Sequence, residues 1–259
     1  MSSLERMLSL LDVFTPAAPV WSAEDLIRYS GSPPSTCYRY LKVLCGAGFL
    51  ARVANGSYVL GPRILELDRT IRLCDPVYVA GTSIAQHLTD AKGYSTLLCI
   101  LFSDSVMCVQ QALSREAPPQ LFNRGQRRPL IAGASAKAIL AHLPMHQLRS
   151  IYAKNRKEIA SSGLGADWEF FKKALKQIRS DGYCMTVGEY NPGVMSIATP
   201  LFNQEGEVLG SLAMVAWAEN SDMADFRTLM PDVVRAGQEI SARIAAMENM
   251  MDLPARAIG

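Results

Sequence analysis

At 259 residues the chain is long enough for one large domain or two modest ones, and with 49% hydrophobic and 19% charged residues it has the composition of a globular protein with a substantial core, not of a disordered tail. No apolar run approaches the ~20 residues needed to span a bilayer; the longest, Leu97 to Phe102 and Leu212 to Ala218, have the length of strands. The formal net charge is only +2, which excludes a polybasic tail, but it is unevenly placed: residues 1–73 hold eight Lys/Arg against six Asp/Glu, and the remainder balances to zero.

The chain opens on Leu4, Met7, Leu8, Leu11 and Phe14 at helical spacing, without the apolar core of a signal peptide, so the protein is expected in the cytoplasm. Pro16 and Pro19 end that helix. Ser22, with Asp25 three residues on, predicts the capped start of a second helix. Tyr29-Ser30-Gly31 makes a turn, and Ser32-Pro33-Pro34 predicts a third helix with Ser32 as cap and Pro33 in its first position. The inner face of that helix is Cys37, Tyr40, Leu41 and Leu44. Two β-rich runs, 49–53 and 57–60, flank Asn55-Gly56, a dipeptide suited to the positive φ angles of a hairpin turn. Three helices followed by a hairpin read as a winged helix-turn-helix.

After Gly61-Pro62 a helix is expected over 63–73, either plain core or a linker that pairs subunits, and Asp75-Pro76 separates it from another over 77–92. From Tyr94 the texture becomes strand-rich. Strands are expected at 94–102 and 106–113, with a short one at 120–123. Helices follow at 134–142, 145–153 and 167–180, then strands at 183–187, 196–202 and 207–217, and one closing helix at 222–250. This is the order of an α+β domain around an antiparallel sheet.

Several segments resemble regulators of the IclR family: Ser3-Leu4-Glu5-Arg6, the stretch Ser35 to Leu41, the stretch Tyr58 to Leu67, and above all Gly188-Glu189-Tyr190-Asn191-Pro192-Gly193 followed by Ser196 to Phe202. The resemblance spans essentially the whole chain. It implies an α+β protein with an N-terminal winged helix-turn-helix DNA-binding domain (1–62), a linker helix (63–75), a C-terminal GAF-like effector-binding domain (76–250) and a tail (251–259). It also implies assembly as a homodimer or a dimer of dimers on double-stranded promoter DNA, under control of a small-molecule effector.

Removing the inward residues of the third helix leaves Ser35, Thr36, Tyr38, Arg39 and Lys42 on its outer face. Arg39 is suited to a bidentate contact with guanine, Lys42 to the phosphate backbone, and Arg52 on the wing to the adjacent groove or phosphate. The resemblance places the effector against Gly133, Ala134 and Ser135, at a helix start whose N–H groups favour a carboxylate, and against Thr186, Ser196, Ala213 and Val215. In the keto-acid-binding pattern of such regulators these last four positions carry an acid, a cysteine and two serines. Ile131 and Ala136 also stand where His and Gly are frequent. The less polar set implies an effector with one anionic end and an apolar body, such as a hydroxybenzoate. Glu189 reads either as an acid at the pocket rim or, preferably, as a partner that fixes the loop shaped by Pro192-Gly193.

No cofactor, metal site or enzyme activity is expected. Of the three histidines, His142 and His146 are four apart but lack the Glu of a metalloprotease helix, and Pro144 lies between them. There is no nucleophile elbow or phosphate-binding glycine loop. The six cysteines show no metal-knuckle spacing and read as free buried thiols. The competing function is a winged helix acting through protein contacts, with a ligandless dimerisation domain behind it.

Overall fold

The computed structural model describes residues 1–117 and 121–251. Its contacts divide the chain into two compact units, one ending at Cys74 and the other beginning at Asp75.

The first unit holds α1 (Ser3–Ser9), α2 (Ala23–Ser30), α3 (Pro34–Gly46), the hairpin β1 (Leu50–Arg52) and β2 (Tyr58–Leu60), and α4 (Arg63–Cys74). Local chemistry starts each helix. Ser2 and Glu5 form a reciprocal capping box on α1, and the Ser22 hydroxyl accepts the Asp25 N–H at the start of α2. The cap expected of Ser32 does not form. Pro33 is extended at φ −54°, ψ 144°, Pro34 takes the first helical position, and the buried Ser32 hydroxyl has no hydrogen-bond partner among the described residues. A residue that precedes proline is sterically kept out of the helical region, so of two consecutive prolines only the second can begin the helix. Asn55 and Gly56 adopt φ of 61° and 74° between β1 and β2, and paired hydrogen bonds between Trp21 and Tyr58 add a third short segment to the wing. Leu10, Leu26, Cys37, Leu41, Leu44, Leu50 and Tyr58 form one core.

The second unit is built on an antiparallel sheet of order β5-β4-β3-β8-β7-β6, from β3 (Ser95–Phe102), β4 (Ser105–Ala112), β5 (Arg127–Pro129), β6 (Cys184–Val187), β7 (Val194–Phe202) and β8 (Val208–Trp217). Alternation along the strands divides the buried side chains between two cores. Leu98, Ile197, Leu212 and Met214 pack with α5 (Pro76–Lys92) and α11 (Met230–Met251). Leu97, Cys99, Ala198 and Ala213 pack on the other side with α6 (Ala134–Leu140), α7 (Met145–Lys154), α8 (Arg156–Ser161) and α9 (Trp168–Asp181).

The second unit departs from the expected elements at three points. Leu121 to Asn123 form no strand, and the edge strand is β5 instead; Gln120 lies outside the described residues, as does the tail beyond Met251. The six-residue α8 was not expected, since Ile159 is its one fully buried residue and leaves no period to read. The closing helix is two, α10 (Met223–Arg227) and α11, because Pro231 has no N–H for a helix running through it and so falls in the first turn of a new one.

Gly237 marks where α11 meets the sheet. A Cβ there would lie 2.3 Å from Thr199 Cγ2, and the Thr199 hydroxyl is held in place by the Gly182 carbonyl at 2.9 Å. Gly237→Ala is therefore expected to destabilise the domain by roughly 1–3 kcal/mol of overpacking, more than the ~1 kcal/mol that alanine gains in a helix interior. Urea unfolding measures this, and an unchanged or raised midpoint would show that α11 moves aside without cost.

Candidate functional site

On the first unit, burying Cys37, Tyr40, Leu41 and Leu44 leaves the opposite face of α3 outward. Ser35, Tyr38, Arg39 and Lys42 are exposed and Thr36 is half-buried; Arg52 is exposed on the wing. Arg39, Lys42 and Arg52 form no ion pair with any described residue, in contrast to Arg28, Arg63 and Arg72, which pair with carboxylates on their own helices. The outer face of α3 thus presents uncompensated positive charge beside hydroxyls near a helix start, the chemistry that meets phosphates and base edges. Burial raises the pKa of the Cys37 thiol on the inner face, as expected of a core residue.

On the second unit, a cavity of about 50 Å³ lies between the sheet and the start of α6. Gly133, Ala134, Ser135, Thr186, Ser196 and Val215 all line it. The sheet register explains why three of these meet: Thr186 lies opposite Ser196, and Ser196 opposite Val215, forming one cross-strand row. Ala213 does not line the cavity. It lies in the next row on that face, opposite Ala198 and Leu97, and is fully buried in the core shared with α6.

Sequence reasoning missed the other walls. Leu97, Val106 and Val194 supply apolar surface, and Phe122, Arg128 and Tyr190 close one side. The Arg128 guanidinium lies 4.3 Å from the Phe122 ring centroid and 4.0 Å from that of Tyr190. Burial lowers its pKa.

The loop after β6 is fastened to α6 by charge. The buried Lys137 ammonium donates to the Glu189 carboxylate and, at 2.5 Å, to the Ser162 carbonyl. The second Glu189 oxygen accepts the Gly133 N–H at 3.0 Å. Glu189 thus lines the cavity and also fixes its loop. The Gly133 N–H, expected to meet a ligand carboxylate, is already donated within the protein.

Other candidate chemistry is accounted for structurally. His142 donates from Nδ1 to the Ala138 carbonyl at 2.9 Å, and burial lowers its pKa. Among the described residues no three His, Cys, Asp or Glu side chains are grouped to hold a metal ion. Burial pushes the Cys184 thiol up to about 12. Hydrogen bonding to Cys99, with burial, raises that of Cys108. Among the described residues no helix is long and apolar enough to cross a membrane.

Removing Glu189 would leave the Lys137 charge buried without its carboxylate. A fully buried pair broken this way costs ~3–5 kcal/mol; with the Glu189 side chain 25% exposed, Glu189→Ala is expected to cost roughly 2 kcal/mol. Thermal melting checks this, with the double variant Lys137→Met/Glu189→Gln recovering most of the loss. Equal melting of wild type and Glu189→Ala would show that water replaces the carboxylate.

Both units match families of known proteins. Residues 3–54 match the model of the IclR helix-turn-helix domain, and residues 77–242 match that of the bacterial transcriptional regulator IclR C-terminal domain. The HTH-type transcriptional regulator XynR of Escherichia coli K12 is 25% identical over 92% of this chain and 95% of its own. An IclR transcriptional regulator from Silicibacter sp. TM1040 superposes with a TM-score of 0.78 at 26% identity, covering 94% of this chain and 96% of that one. An IclR homologue from Microbacterium hydrocarbonoxydans, solved in complex with 4-hydroxybenzoate, shares the fold at a TM-score of 0.78 and 22% identity, over 95% of this chain and all of that one. The relatives are named as transcriptional regulators, not enzymes.

Proposed function

Because the chain belongs to the IclR family of bacterial transcriptional regulators, we propose that it controls catabolic genes in the cytoplasm as a homodimer or dimer of dimers, and that its C-terminal domain senses a small carboxylate with an apolar body. A hydroxybenzoate is the model ligand. The observation that carries the ligand reading is the composition of the cavity: Thr186, Ser196 and Arg128 are its polar points on the sheet, set among Leu97, Val106, Val194 and Val215. Pockets of this kind, mostly apolar with a few convergent polar groups, are the usual form of small-molecule sites. The 4-hydroxybenzoate bound by the Microbacterium hydrocarbonoxydans homologue supports the same class.

DNA would be met by α3, with Ser35, Thr36 and Tyr38 at the helix start, Arg39 reading a base, Lys42 on the backbone and Arg52 on the wing. One unit with this modest charge binds weakly, so useful affinity follows from pairing two half-sites. The effector acts by linkage, favouring one arrangement of the assembly and thereby shifting DNA affinity. The small size of the cavity favours one alternative, a C-terminal domain that dimerises without a ligand while the winged helix works through protein contacts.

Fluorescence anisotropy of the full chain on its own upstream DNA, at fixed salt, with and without a series of aromatic and keto acids, separates these readings. Specific binding that shifts with an aromatic acid is the expected result; sequence-specific binding that no acid alters would sink the sensor reading, and no preference over random DNA would favour protein contacts. In the same assay Arg39→Ala should lose about 1–3 kcal/mol and relax specificity at one base pair, whereas Lys42→Ala should weaken all sequences alike and lower the salt slope by about one.

A further inference from the structure

Arg128 is the Lys or Arg side chain that lines the cavity, and it is held differently from its neighbours. Arg124 donates to the Val109 carbonyl at 2.6 Å, and Arg127 to the Ser105 hydroxyl at 2.9 Å. The Arg128 guanidinium has neither a carboxylate within ion-pair distance nor a hydrogen bond to any described residue. What holds it is aromatic. Phe122 and Tyr190 lie against it at 4.3 and 4.0 Å, contacts that attract a cation to a ring face. Rings over the planar face of a guanidinium leave its N–H donors, which point outward in the plane, without a protein partner among the described residues.

Its position follows from the sheet. In β5, Arg127 and Pro129 are exposed while Arg128, opposite Val106, turns toward the cavity. Leu121, Arg128, Tyr190 and Asn191 line both this cavity and an outer recess of about 480 Å³. The aromatic-clamped arginine therefore borders both the cavity and the outer recess. Tyr190 sits on a loop flanked by Gly188 and Gly193, both at positive φ.

Two of the other groups that could meet an anion here are already engaged, whereas the Ala134 and Ser135 N–H groups, at a start of α6 with no side-chain cap, can only assist a charged anchor. Glu189 takes the Gly133 N–H, and Lys137 is bound to Glu189 and the Ser162 carbonyl. We propose that Arg128 anchors the anionic group of the effector: its in-plane N–H pair donates to both oxygens of a planar monocarboxylate, whose apolar body lies against Leu97, Val106 and Val215 and whose far end reaches Thr186 and Ser196. A guanidinium edge matches a carboxylate with two parallel hydrogen bonds. Arg128 and Thr186 stand on opposite edge strands of the sheet, yet both line this one cavity. This inference rests on the reading of the domain as a carboxylate sensor and names the residue that confers the charge preference.

The test is isothermal titration of the full chain, as wild type, Arg128→Met and Arg128→Lys, with 4-hydroxybenzoate and its neutral counterpart 4-hydroxybenzamide. Benzoate, 3,4-dihydroxybenzoate and phenylacetate complete the series. Wild type should prefer acid over amide. Arg128→Met should weaken the acid by about 10- to 100-fold while binding the amide as wild type does, which also shows that the variant is folded. Arg128→Lys keeps the charge but loses the fork, and should fall between the two. Acid binding that is equal in wild type and Arg128→Met would overturn the role of Arg128 and leave the carboxylate sensor standing. Failure of every acid to bind wild type at millimolar concentration would overturn the sensor reading and this inference with it.

Discussion

The pairing of β3 with β8 is the joint on which the C-terminal domain depends. It runs from Ser95 opposite Val215 to Ile100 opposite Gly210, and it joins the strands before α6 to those after α9 in a single sheet. Long-range antiparallel pairing of this kind has only one register that keeps both cores intact, because a shift of one residue sends every side chain to the opposite face. In such a shift Val215 would enter the core beside α5 and α11, and Met214 would take its place on the cavity wall. The strands also approach closely at Gly210, where a Cβ would lie 2.0 Å from the Cys99 carbonyl oxygen. The cavity is thus a by-product of register: the row from Thr186 through Ser196 to Val215 exists because β6, β7 and β8 are locked to β3.

Elements whose start and stop depend on neighbouring residues could be read from the chain. Ser22, Asn55-Gly56, Asp75-Pro76, and Gly182 at the end of α9 act through their own backbone and the next few residues, so a linear string contains what they need. The errors arose where two local signals competed or where none existed. Consecutive prolines at 33 and 34 both suit a first helical turn, and only the steric effect of the second on the first decides between them. The segments 121–129 and 156–161 are too short to show a period.

The candidate site divides in the same way. The outer face of α3 follows from subtracting a buried stripe, and Thr186, Ser196 and Val215 were reached through family resemblance. Arg128 was invisible because nothing in Arg127-Arg128-Pro129 says which arginine turns inward. That is decided by pairing with Val106 and by two rings, Phe122 on the preceding loop and Tyr190 far along the chain. Ala213 was misplaced by one row for the converse reason: it shares the face of Val215, and only the packing of α6 over the sheet separates a wall from a core. The domain meanwhile solves the problem of a partly buried cation twice. Lys137 is compensated by a carboxylate and a carbonyl, which immobilise a loop; Arg128 is compensated by polarisable rings, which leave its hydrogen-bonding capacity unspent.

A cavity of about 50 Å³ is far below the ~300 Å³ at which ligand pockets begin. For a sensor of the kind proposed, a ligand the size of a hydroxybenzoate must push the walls of such a cavity apart, and the cost of that displacement is subtracted from its affinity. Phe122, Arg128 and Tyr190, which form one wall, are among the groups that such a displacement would disturb. The same wall would then carry two burdens at once, contact with the ligand and the cost of admitting it, so a substitution there shifts both together.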